Sequence, residues 1–152
     1  MKTKIAVTIM LSLFFAACGF FEGGLGGVND IFADMENGIR KTDEDLFKKH
    51  WTAESYNQNL VGKSGLSGAR IYEQGSRKKW FLKPDYSKTV KQGNVEIYQC
   101  EVYAWEHSKA VDEIFLAVST KDQKVLGGGE DLSEVKKLAE RYNAGGSLEP
   151  PK

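Results

Sequence analysis

Two cysteines and two histidines are the side chains of this 152-residue chain best suited to nucleophilic, redox or metal chemistry. Cys18 follows Phe15-Ala16-Ala17, at the end of an apolar run from Ile5 to Phe15 that begins after the basic head Met1-Lys2-Thr3-Lys4. A basic head, an apolar stretch shorter than the ~20 residues of a spanning helix, and small residues before a cut are the marks of a secretory signal. Ala16 and Ala17 let a peptidase cleft close on the backbone, and Cys18 offers a thiol for thioether formation. His50 lies between Phe47 and Trp51 on an apolar stripe, where it is either a base facing a pocket or a satisfied core histidine. His107 sits in a polar turn beside Glu106. Two distant histidines, with no cysteine pair at ligand spacing, form no zinc ligand set, so no metal and no cofactor is expected.

The remaining motifs are weaker. Asp43, Glu44 and Asp45 suit the positive end of a helix as well as they suit a cation. Gly62-Lys63-Ser64 lacks the earlier glycine of a phosphate loop, because position 57 is Asn. Arg77-Lys78-Lys79-Trp80 is a basic and aromatic patch fit for anionic headgroups or a polyanion, or simply a solvated strand face. Gly-x-Ser-x-Gly and Ser-x-x-Lys do not occur, and no catalytic residue is assigned. Residues 1–17 carry two lysines and no acid, so their removal leaves 135 residues with 19 basic and 21 acidic side chains, a formal charge of −2. That balance gives no electrostatic case for nucleic acid. Cys100 would then be the one thiol left, either reactive or buried as a small apolar side chain.

The elements that must position these groups follow from periodicity. Cys18 to Gly27, with five glycines after the cysteine and before Val28, reads as a flexible tether. Val28, Ile31, Phe32, Met35 and Ile39 recur at helical spacing, predicting a helix over 29–41, and Leu46, Phe47, His50 and Trp51 predict a second over 43–52 with Thr42 as its cap. Residues 52–69 read as a glycine-bearing loop, with room for a short element around Tyr56 to Val61. From Ala69 the period becomes two. Strands are expected at 69–74, at 77–83 up to Pro84, at 95–106, at 111–119 in the sheet centre, and from Lys124, where Gly127-Gly128-Gly129 signals a bulge or close approach. Asp131 or Ser133 caps a last helix over 132–142, and 146–152 reads as a disordered tail. Residues 28–145 thus form a single α+β domain, with helices packed on a curved antiparallel sheet and an additional C-terminal helix.

Two resemblances extend this reading. The segment Phe15-Ala16-Ala17-Cys18 resembles the lipobox of bacterial lipoproteins, with Phe15 where Leu is commoner. The resemblance implies a lipid on Cys18, residence in the bacterial cell envelope, and attachment to a membrane through that anchor. Gly19, rather than Asp, implies the outer membrane, periplasmic side, if the cell is Gram-negative. The phrase Ile31-Phe32 through Ile39-Arg40-Lys41-Thr42-Asp43, Leu46-Phe47 and Trp51, and the hairpin Val111–Leu116 with Asp122–Gly129, are similar to the opening helices and closing strands of NTF2-like (cystatin-superfold) domains. That resemblance covers about 100 residues and implies a cone between helices and sheet. His50, Trp80, Tyr98, Tyr103, Trp105 and Phe115 would line it if open, and fill it as core if not. Three functions remain: binding of a small ligand or an envelope protein, catalysis in the cone with His50, Asp112 or Glu113 as base, or assembly as a homodimer through the outer sheet face.

Overall fold

The computed structural model describes residues 27–106 and 109–152. The expected secretory signal (1–17), Cys18, most of the expected tether and His107 lie outside the described residues. The chain divides into two units, Met1–Ile31 and Phe32–Lys152. Of the first, residues 27–31 are described and are helical, so helix already occupies Gly27, expected as the tether's last residue.

The second unit has the α+β architecture read from the sequence, with N-terminal helices, a curved antiparallel sheet and a C-terminal helix. Helix α1 runs through 27–41 and buries Phe32, Met35 and Ile39. It ends at Thr42, which is left-handed at φ 55, so Thr42 does not cap the next helix. Asp43 does: its Oδ1 accepts from Leu46 N at 3.1 Å and opens α2, Glu44–Lys48. That helix is shorter than expected because Trp51 leaves it to form a parallel bridge with Val125. Thr52 then caps α3, Ala53–Asn57.

The expected loop ends at β1, Gly65–Leu66, and the expected strand at 69–74 is helix α4, Gly68–Lys78. Ser67 Oγ accepts from Arg70 N at 3.2 Å, a cap that the alternation of Ile71 with its neighbours masks in sequence. Ile71 and Gly75, one turn apart, face the interior, and the bare Gly75 lets Ile39 approach α4.

Strand β2, Trp80–Gln92, runs past Pro84 rather than stopping there. It is an edge strand, where a residue without N–H is tolerated, and its register breaks between Asp85 and Val90. β3 (Val95–Ala104), β4 (Ala110–Ser119) and β5 (Lys124–Gly129) complete the order β1-β5-β4-β3-β2, all antiparallel, with β4 in the centre as its apolar run predicts. Gly128 lies against Leu116, where a Cβ would meet Leu116 Cδ2 at 2.5 Å, which is the close approach expected of the glycine run.

Both faces of the sheet are covered. Tyr98, Cys100 and Val102 alternate on one face, where Phe32 packs edge-on against Tyr98. Val95 and Ile97 alternate on the other and pack with α5, Leu132–Ala144, through Val135, Leu138 and Ala139. Each such aliphatic side chain stabilises the fold by about 1.5–3 kcal/mol. Asp131, not Ser133, is the cap of α5, accepting from Ser133 N at 2.8 Å, and Gly145 ends it at φ 72. The segment after α5 does not fray at once: Leu148 packs on the same cluster, and its carbonyl accepts from Arg141 Nε at 3.1 Å. Among the described residues, no helix is long and apolar enough to cross a membrane.

Candidate functional site

The end of α4 and the end of β3 meet at a junction that the sequence builds from charge and aromatic rings. Helix α4 stops at Lys79, whose φ of 58 places it in the left-handed region and whose N–H donates to Gly75 O. Gly is the usual occupant of that conformation. The Lys79 carbonyl accepts from Trp105 N at 2.9 Å, which clamps the helix end to the residue after β3. Lys78 Nζ lies 4.5 Å from the centre of the Trp80 ring, and Lys79 Nζ lies 5.4 Å from that of Trp105. Arg40, from the end of α1, reaches both Trp105 (5.6 Å) and Phe81 (5.8 Å). Phe81 stacks on Tyr103 at 5.5 Å across the β2–β3 pair, and Lys83 Nζ lies 6.0 Å from the Tyr103 ring.

A cleft of about 230 Å³ opens there, lined by Lys78, Lys79, Ala104, Trp105 and Glu106. Cation–π contact fixes an ammonium over a ring without neutralising it. Arg40 has a carboxylate partner in Glu36 at 2.7 Å, whereas Lys78 and Lys79 have none within 4 Å among the described residues. The Trp105 indole N–H is buried and has no acceptor among the described residues. The junction can therefore hold two oriented, unneutralised cations beside an aromatic wall.

Among the described residues, no cavity brings together the six residues expected to share a cone. Trp80 and Trp105 flank the junction, and Trp80 also borders a cavity of about 30 Å³ between α4 and the sheet, with Ile71, Leu82, Val102, Ile114, Asp112 and Glu130 among its walls. That volume holds about one water. Tyr98 is core: burial, then its hydrogen bond to Glu96, pushes its hydroxyl pKa up, and its ring meets Phe32 and Tyr86. Tyr103 lies on the opposite face of β3 and donates to Glu101 at 2.6 Å. Phe115 packs against the α5 cluster. His50 Nε2 and Asp34 Oδ2 lie 2.7 Å apart, with Lys49 Nζ 3.2 Å from the same oxygen. The hydrogen bond to His50 holds the Asp34 carboxyl below its ordinary range against the opposing effect of burial, and Lys49 adds to it.

Of the proposed bases, Asp112 borders the small cavity and Glu113 accepts from Gln99. Cys100 is fully buried, its thiol pKa raised by desolvation. Among the described residues, no group of three metal-ligating side chains is gathered. Sequence reasoning singled out Arg77 to Trp80 but set them on a strand. Helix geometry and the left-handed Lys79 instead direct the two lysines to different tryptophans. Arg40 and Asp34 were missed, and nothing local in sequence joins them to Trp105 or His50.

No family model and no curated protein matches the chain. Among solved structures, the crystal structure of TerC co-crystallized with polyporic acid is similar at 16% identity, over 76% of this chain and 99% of that one, with a TM-score of 0.38.

Proposed function

We propose that this protein is a lipid-anchored bacterial envelope domain that acts by binding a small ligand or partner at the α4–β3 junction. The observation that carries the binding reading is the cleft itself, in which Lys78 and Lys79 are held over tryptophan rings with no carboxylate partner among the described residues. The cone between α4 and the sheet is filled to within about one water, whereas sites for organic ligands are typically ~300–1,000 Å³. The anchor reading rests on the sequence of residues 1–18. Acylation of Cys18 would hold the domain at a membrane by about 0.8 kcal/mol per buried CH₂, and two or more chains suffice for stable attachment. The folded domain would then need no apolar membrane-binding surface of its own.

The test is a fractionation combined with a crosslink. Full-length protein made with a clickable fatty acid should carry the label and pellet with membranes. Cys18→Ala should lose both. A photo-reactive residue at position 105 should capture a partner or ligand that Lys79→Gly loses. Label-free protein in the soluble fraction refutes the anchor, and an identical capture profile for Lys79→Gly refutes the site.

A second reading, catalysis in the cone, has one observation in its favour. Asp112 and Glu130 border the small cavity beside Trp80, so a substrate that opened it would meet two carboxyl groups. Turnover abolished by Asp112→Asn, with junction variants unaffected, would establish that reading instead.

A further inference from the structure

We infer that the junction cleft is an oxyanion site whose ligand carries a phosphate-type group, a diester headgroup or a soluble phosphate monoester. The inference rests on the reading of the junction as a binding site and gives that site its ligand chemistry. Lys78 and Lys79 come from consecutive positions, yet each is directed to its own tryptophan, 4.5 Å from Trp80 and 5.4 Å from Trp105. The rings orient the ammonium groups and leave their charge in place, and both lysines line the one cleft. Because cations already occupy a face of each ring, a neutral aromatic guest would have to displace them, whereas an anion adds to them.

Basic residues in a last helical turn also balance the negative end of the helix, which accounts for Arg77 and Lys78 without a ligand. Lys79 is different. It lies beyond the helix at φ 58, a conformation that glycine adopts freely and lysine does not, and it lines the cleft. The volume of about 230 Å³ falls below that of sites for drug-sized ligands and suits a headgroup-sized anion. Glu106 lines the same cleft with no ion pair to either lysine, so it opposes an anion and sets the affinity low. Arg40 adds a third cation over Trp105, partly neutralised by Glu36.

The test uses the full-length chain in a neutral detergent, with tryptophan indole resonances and fluorescence as readouts. Titrants are inorganic phosphate, glycerol 3-phosphate, and phosphatidylglycerol vesicles against phosphatidylcholine vesicles. The expected result is a saturable shift of the Trp105 indole that weakens as salt rises, because the lysine ammonium groups are solvent-facing. Lys79→Gly should weaken binding about three- to tenfold, and Glu106→Gln should strengthen it by about the same factor, as expected for one solvent-screened charge lining the cleft. Gain of affinity in Glu106→Gln cannot arise from misfolding.

A response to both soluble phosphates identifies a free phosphate as sufficient. A response to phosphatidylglycerol vesicles alone identifies a membrane headgroup as the source. Absence of any response, or a response that neither variant alters, overturns the oxyanion inference. The junction as a binding site survives that outcome if position 105 still captures a partner in a Lys79-dependent way, and falls with it if it does not.

Discussion

Replacing Gly38 by Ala should destabilise the protein, although the same change in an ordinary helix stabilises it. Gly38 lies in α1 at the corner where α2 begins. A Cβ there would stand 2.8 Å from Phe47 N, 2.9 Å from Asp43 O and 2.9 Å from Phe47 Cβ. Two of these are backbone atoms, and Phe47 is fully buried, so a rotamer change cannot relieve the contact. Asp43 N also donates to Gly38 O at 2.8 Å, a bond that the required shift would stretch. Ala gains about 1 kcal/mol of helix propensity over Gly. Overpacking costs about 1–3 kcal/mol, toward the upper end where backbone must move, and loss of the corner hydrogen bond costs about 1 kcal/mol more. The net is a destabilisation of about 2 kcal/mol, equivalent to a fall in melting temperature of roughly 6–8 °C for a domain of this size. Thermal unfolding followed by circular dichroism measures it. Gly146→Ala, where nothing lies within 4 Å of the added carbon, is the control and should stay within about 0.5 kcal/mol. A Gly38→Ala protein as stable as the parent, or more so, would refute the tight corner.

Three further outcomes concern Asp34, Cys100 and Arg141. Asp34→Asn keeps an acceptor for His50 but removes the charge. The Asp34 pKa is depressed in the folded state, so its contribution is full above the unfolded value of 3.8 and is lost as pH falls below that value through the folded pKa. Urea unfolding should show parent over variant by less than about 1 kcal/mol at neutral pH, shrinking to nothing in stronger acid; a gap that widens on acidification contradicts the pairing. In a Cys18→Ser background, Cys100 should resist an aromatic disulfide reagent until denaturant is added, because the thiol is fully buried and its pKa is raised; prompt labelling of the native protein would disprove this. Arg141→Ala removes donors to Leu60 O at 2.5 Å and Leu148 O at 3.1 Å, so it should cost about 1–3 kcal/mol and speed carboxypeptidase trimming past Leu148; unchanged trimming would mean the C-terminal segment is held otherwise.

The strands β3 to β5 and helix α5 were legible because nothing competes with their signals. Tyr98, Cys100 and Val102 alternate cleanly, and Asp131 caps a regular stripe. Helix α4 was hidden because its buried face is a single Ile between two glycines, Gly68 and Gly75, with Gly75 made necessary by Ile39, a residue of another helix. β2 was cut short because Pro84 is a stop signal only in a central strand, and strand order is not local information. The basic–aromatic patch was visible as composition. Its geometry was not, since it depends on a lysine in a left-handed conformation and on Arg40 arriving from α1. Five of the six pocket candidates were chosen as aromatics of one sheet, but a strand sends alternate residues to opposite faces, so Tyr98 and Tyr103 could not share a cavity.

The most direct test of the proposal that this is an anchored envelope domain is the mass of its N-terminal peptide, isolated from membranes of the producing bacterium. An anchored domain begins at Cys18 and carries a diacylglyceryl thioether there. A chain that retains Met1, or one that begins at another residue with Cys18 unmodified, contradicts it.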